Sequence, residues 1–467
     1  MADAGQREST PTAGRGPFLL GESKLVFPPT MSDPCAASGI HSVTGRLWGR
    51  ESARQWAFLL LFWLDRASPP GSADLQTLAF FDLHDGEYGT STELRRRRRL
   101  RRGRPGPSPA WQGQFDLSFQ SSQGESTWRT QDGGGGSLVA SNSALHAVAV
   151  DAGGRAMRLD LELDARKPLL PLGGDHLCGT KISVGPSGVR GSFQSGIRFS
   201  GRFEWGEEHE EVDGDGGWIA HRSAPHVLRV HPRLHEDRYP HEWRQIQLAD
   251  GTEISVWMHF DRRRANRVIP PSIAIAIGPN GEVASTTEFH LERRSFVRDL
   301  QAGAVPFSPD ARQYFSDRYR LYVPSWNLDL VSEPLVGAPA HELPIAYWNG
   351  PTRLAGTLDG VPVSGFGFDE RTHALSRDFE LVEVLRETLR RLPTTALAAC
   401  DLEAAALADR AWMIDGFIAD GDLQGAIRHL NSMVRPAVDG LAEPHRNHVL
   451  AIVDDAADAL LRWWVRP

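Results

Sequence analysis

GGWIAHRSAPHVLRVHPRLHEDRYPHEWRQIQLADGTEISVWMHF occupies positions 216–260, and its second half carries the pattern from which the fold can be read. Trp243–Leu248 and Glu253–Phe260 read as two β-strands joined by a tight turn at Asp250-Gly251. Alternation puts Ile246, Leu248, Ile254, Val256 and Met258 on one face. Trp243, Gln245, Gln247, Glu253, Ser255, Trp257 and His259 fall on the other. A polar face holding two indoles differs from a solvated one, because indoles are costly to leave in water. Such a face suits the wall of a cavity.

Outward from the hairpin, the 467 residues exceed what one core holds, so more than one domain is expected. A net charge of −8 argues against a general nucleic-acid binder. Cys35, Cys178 and Cys400 are far apart and odd in number, which supplies neither a disulfide framework nor a CxxC metal site. A reducing, cytoplasmic setting is the expectation. The longest apolar run, Ala57–Leu64, is too short to span a bilayer and suits a buried strand.

Residues 1–38 are rich in Gly, Pro, Ser and Thr and read as a disordered leader. Short strand candidates bounded by turn residues then run to about 375, with a Pro-rich break at Lys167–Gly174. The expectation is a mainly β chain of two antiparallel barrel or sandwich domains, 39–175 and 176–375. Residues 376–467 show helical periodicity over Phe379–Leu392, Leu402–Ile418, Leu423–Val434 and His445–Val465. That region reads as a small bundle, serving as a lid or as a homodimer contact.

Several residues are candidates for chemistry. Glu253 lies among tryptophans, where a dry pocket would raise its pKa and let it donate a proton near neutrality; a solvated strand face is the other reading. Asp250 is a second carboxylate there, although Asp-Gly is itself a common hairpin turn. Trp243 and Trp257 could stabilise a developing carbocation, and Gln245 and Gln247 could hold a water or a substrate oxygen. His221, in Trp218-Ile219-Ala220-His221, is a candidate base or donor, or a satisfied core histidine. The histidines between His209 and His259 match no zinc spacing. The run Arg95–Arg104 reads as a solvated loop, and Asp454-Asp455-Ala456-Ala457-Asp458 as an exposed helix face.

A family resemblance appears in Ala346-Tyr347-Trp348-Asn349-Gly350, then Gly356-Thr357, then Gly360–Thr372. This is similar to the C-terminal signature of the lipocalin-like family that includes carotenoid hydratases, kievitone hydratase and AttH-type proteins. Trp243, Gln247-Leu248, Asp250-Gly251-Thr252-Glu253 and Trp257 resemble the same family's hairpin. The resemblance implies two lipocalin-like β-domains enclosing an apolar cavity. It also implies cofactor-free chemistry on a hydrophobic small molecule: acid-assisted hydration of an isoprenoid double bond, or cyclisation of a bound polyene. The absence of metal and nucleotide motifs agrees with it.

In the family's D-H-x-W motif only His221 is retained, Ala220 and Ser223 standing at the acidic and Trp positions. Glu253, Asp250, Glu370 or a carboxylate of Glu204–Glu211 is left as proton donor. Glu370 stands at the family's glutamate and is expected to pair with a buried arginine or backbone donors. Trp218, His259 and Trp348 join the hairpin aromatics as candidate cavity walls. The alternative function is non-catalytic lipid or terpenoid binding.

Overall fold

A computed structural model describes residues 39–64, 75–94, 116–131, 143–167, 170–172, 191–221, 241–261, 267–299, 313–337, 341, 347–372, 380–397, 403–420 and 422–465. The leader, Arg95–Arg104 and the histidines 226, 231 and 235 lie outside them. Two curled antiparallel sheets form the bulk of the molecule, as expected of a mainly β, two-domain lipocalin-like chain.

The first sheet begins with β1 (Gly39–Gly49), β2 (Gln55–Leu64), β3 (Leu75–Asp82) and β4 (Tyr88–Leu94). It continues with β5 (Asp116–Gln120), β6 (Glu125–Thr130), β7 (Ser143–Val150) and β8 (Ala156–Ala165). It closes with β9 (Leu170–Leu172), β10 (Gly191–Trp205) and β11 (Glu208–His221). The order is β4-β3-β2-β1-β11-β10-β8-β7-β6-β5, with β9 paired to β10.

The second sheet opens with β12 (His241–Leu248), β13 (Glu253–Asp261), β14 (Arg267–Ile277) and β15 (Val283–Thr286). Then follow β16 (His290–Asp299), β17 (Gln313–Val323), β18 (Leu328–Pro334), β19 (Tyr347–Leu358) and β20 (Val361–Thr372). They are ordered β15-β14-β13-β12-β20-β19-β18-β17-β16.

The chain passes from one sheet to the other between His221 and His241, later than the Pro-rich break at Lys167–Gly174 suggests. β10 and β11 bond to β8 and β1, so their ladder partners assign them to the first sheet whatever the composition of the linker before them. β19 runs unbroken from Tyr347 to Leu358.

Each curl encloses its own core. In the first, Val43, Phe58, Leu60, Trp128, Phe199 and Trp218 belong to one aromatic cluster. In the second, the apolar face of the opening hairpin (Ile246, Leu248, Ile254, Val256, Met258) packs on Leu321, Leu328 and Leu330. The convex faces then meet each other. Ala57, Leu59, Leu61 and Trp63 of β2 lie in one cluster with Tyr347, Phe366 and Phe368 of the second sheet. This accounts for the unbroken apolar run of β2: alternate residues fill the curl and the inter-sheet layer, so no position faces water.

Five α-helices and a π-helical turn follow among the described residues: α1 (Glu380–Arg390), α2 (Ala404–Ala419), α3 (Leu423–His429) with the π-turn Leu430–Val434, the short α4 (Arg435–Asp439) and α5 (His445–Val465). They share a core of Leu385, Leu389, Leu407, Ile414, Val449 and Ile452. Arg391, just past α1, reaches Glu292 of β16 at 3.3 Å, tying the bundle to the second sheet. Asp454, which pairs with Arg435 at 2.5 Å, and Asp458 keep the exposed helix face expected, while Asp455 is buried. No helix among the described residues is long and apolar enough to cross a membrane.

Candidate active site between the two sheets

The polar face of the β12–β13 hairpin points at the first sheet. Cross-strand register places Trp243 opposite Trp257, Gln245 opposite Ser255 and Gln247 opposite Glu253. Gln245 Oε1 accepts a hydrogen bond from the Thr44 hydroxyl at 2.9 Å, joining β12 to β1. Gly217 of β11 permits that approach, since a Cβ there would run into the Gln245 amide. Trp243 and Trp257 sit in an inter-sheet cluster with Leu170, Phe193 and Ile219. Trp243 Nε1 donates to Ser255 Oγ at 2.9 Å, and Trp257 stacks on His241 with ring centroids 4.7 Å apart.

Where this dry layer ends, the sheets part around a cleft of about 630 Å³. Leu248, Ala249, Pro279, Leu335 and Phe366 supply its apolar walls, and Glu253, Lys167 and Asp215 its inner charges. The cleft lies between the curls, not inside one as expected of a barrel cavity; among the described residues each curl holds its own side-chain cluster.

Glu253 is 7% exposed, which removes the solvated-face reading. Lys167 Nζ donates to the Gly251 carbonyl at 2.6 Å and stands 3.5 Å from Glu253 Oε2. That separation exceeds a charge-assisted hydrogen bond of roughly 2.8 Å, so the pair is loosely held. Burial pushes the Glu253 carboxyl above its ordinary value, against the pull of the Lys167 ammonium and the Ser195 hydroxyl. Burial likewise pushes the lysine down, with Glu253 opposing it. Both partners move toward their neutral forms, and Glu253 lines the cleft. That is the environment of a proton donor.

The other candidates separate. Asp250 is exposed and its Oδ1 accepts from the Thr252 backbone N–H at 2.8 Å, a turn role, with Gly251 at φ +87 completing the turn. Glu370 is buried and accepts from the Tyr347 hydroxyl at 2.7 Å, with His241 Nε2 at 3.2 Å. Its register partner in β12 is Trp243, whereas Glu253 sits opposite Gln247, so a tryptophan pair divides the two carboxylates. Glu208 pairs with Arg54, and Glu210 accepts from Ser52 and the Glu51 backbone, so these acidic residues of 204–211 brace a surface turn. Trp218 lies in the first curl, edge-on to Trp128, and Trp348 lies under Arg371, 4.1 Å from its guanidinium. Neither lines the cleft. The backbone of His221 pairs with Ile40 and Gly191, and that of His259 with His241 beside a bulge.

A second charged centre fills one end of the second curl. Arg244 Nη2 meets Glu242 at 2.5 Å and its Nε lies 4.0 Å from Asp369; Arg371 is 3.5 Å from Asp369, and Arg293 3.4 Å from Glu242. The Tyr319 hydroxyl donates to Asp369 Oδ1 at 3.1 Å. Burial alone would raise Glu242, but Arg244, Arg293 and Arg371 hold it down at about 2. Burial raises Asp369 in spite of its two arginines. Sequence reading missed this centre because Glu242 and Arg244 continue the apolar stripe of β12, where alternation alone expects hydrophobes. Lys167 was missed too, although it is one of only three lysines in an arginine-rich chain. Among the described residues no group of His, Cys, Asp and Glu is arranged to hold a metal ion.

Two solved structures share this architecture. An AttH-type protein of Nitrosomonas europaea superposes with a TM-score of 0.53 at 16% identity, covering 77% of this chain and 99% of its own. Kievitone hydratase of Nectria haematococca gives 0.51 at 15% identity, covering 78% and 96%. The fold is that of the AttH and kievitone hydratase proteins. No family model and no curated protein matches the sequence. The resemblance read from residues 346–372 therefore agrees with the fold of the same two kinds of protein.

Proposed function

We propose that the chain is a cofactor-independent enzyme acting on an apolar isoprenoid or polyene small molecule bound between the sheets. The reaction is acid-assisted hydration, isomerisation or cyclisation. One observation carries this reading: a buried carboxyl with a raised pKa opening on a cleft of about 630 Å³ with apolar walls. In hydration, Glu253 gives its proton to one carbon of a double bond and the cation forms on the more substituted carbon. Water adds there and returns a proton to the Glu253 carboxylate, so the acid is regenerated. Lys167 sets the acidity of Glu253, and Gln247 is placed beside it to hold a water. Kievitone hydratase, which shares this fold, supports the class of reaction, and Leu248, Leu335 and Phe366 in the cleft wall support an apolar substrate.

Replacing Glu253 by Gln keeps the shape and removes the proton. Given a polyene or isoprenoid substrate, turnover should fall at least 100-fold, in the range of lost general acid catalysis, while ligand affinity holds. Full activity in Glu253→Gln with binding intact would sink the acid assignment. Binding without turnover in the native chain would favour a carrier of lipids or terpenoids.

A further inference from the structure

The mouth of the same cleft is rich in arginine among the described residues. Arg46, Arg166, Arg198 and Arg353 all line it. Arg166 is taken by Asp164 at 2.6 Å and Arg353 by Glu333 at 3.2 Å. Arg46 and Arg198 share the single carboxylate of Asp215, at 3.5 and 3.9 Å. Two guanidiniums share one carboxylate, and both contacts exceed the roughly 2.8 Å of a charge-assisted hydrogen bond. Arg46 Nε is buried with no hydrogen-bond partner. Its guanidinium is held over Phe366 at 5.2 Å and Trp48 at 5.6 Å, so the fork is fixed in place beside an apolar wall.

We infer that the cleft takes an amphipathic anion: an apolar chain bearing one carboxylate, the carboxylate on Arg46 and Arg198 and the chain running inward toward Glu253. A planar carboxylate matches the fork of an arginine whose Nε has no partner. The inference rests on the reading that an apolar small molecule occupies this cleft and adds its head group. Glu253 and Lys167 lie at the inner end, 3.5 Å from each other.

All-trans-retinoic acid and all-trans-retinol, which share one polyene and differ in head group, separate the two ideas when titrated against the full chain by tryptophan quenching. The acid should bind at least 10-fold more tightly at low salt, and the advantage should shrink at high salt. Arg198→Ala, a change at a well-exposed side chain, should cut affinity for the acid several-fold and leave retinol unchanged. Asp215→Asn, which removes the competing carboxylate, should tighten the acid. Equal affinities in the native chain, or an advantage that survives Arg198→Ala combined with Arg46→Met, would overturn the inference while leaving an apolar cleft standing. Failure of both retinoids to bind would overturn the inference together with the proposed function.

Discussion

At the scale of single residues, the argument turns on how two neighbours share a proton. Glu253 is raised by burial and restrained by Lys167, so a reaction that needs its acid form should lose rate as pH rises through its folded pKa. Lys167→Met removes the restraining charge, and the alkaline limb of a rate profile should then move to higher pH. An unmoved limb would mean that another group limits the rate. The hairpin made Glu253 legible, because a carboxyl flanked by tryptophans on an alternating face is visible in one strand pair. Lys167 was not legible. It comes from a segment 86 positions earlier, and nothing local connects it to β13. Asp250 shows the opposite case: its chemistry is local, and the turn reading of Asp-Gly was sufficient.

At the scale of elements, the second curl is stabilised by side chains that its strands would be expected to exclude. Arg244 is fully buried against Glu242 and Asp369. Arg244→Met should cost about 3–5 kcal/mol in denaturant unfolding, because it breaks a buried charge network and leaves Glu242 and Asp369 with the contacts to Arg293 and Arg371. A loss below about 1 kcal/mol would mean that water reaches them. β11 offers a second test. Gly217→Ala drives a methyl group into Gln245 across the sheet junction and should cost about 1–3 kcal/mol. The strands themselves were legible where periodicity was clean, as in β2 and β12–β13, and α5 has the bounds His445–Val465 that its apolar repeat predicts. Sheet membership was not legible for β10 and β11, since a strand's composition does not name its partner across hydrogen bonds.

For the whole molecule, the cleft residues impose a pH dependence on folding. The folded pKa of Glu253 lies above its unfolded value of 4.5, so the folded state holds the proton more tightly. Stability from this group is therefore present below the unfolded pKa and lost as pH rises through the folded one. Lys167 runs the other way: its folded pKa lies below 10.5, so its cost is full at low pH and is relieved as pH rises toward 10.5. Thermal melts of Glu253→Gln against pH should lose the first slope, and an unchanged slope would assign it to other carboxylates. Sequence alone determined the class of fold, the hairpin and its two faces, the helical tail and the acid worth testing, because these depend on periodicity and on residue types close in the chain. Tertiary structure decided that the polar face of the hairpin abuts the other sheet, that the cavity lies between the curls, and that Lys167 and Asp215 meet Glu253 there. Those facts arise from how two curved sheets, each with an apolar convex face, cover one another, and that packing joins residues whose separation in the chain carries no local signal.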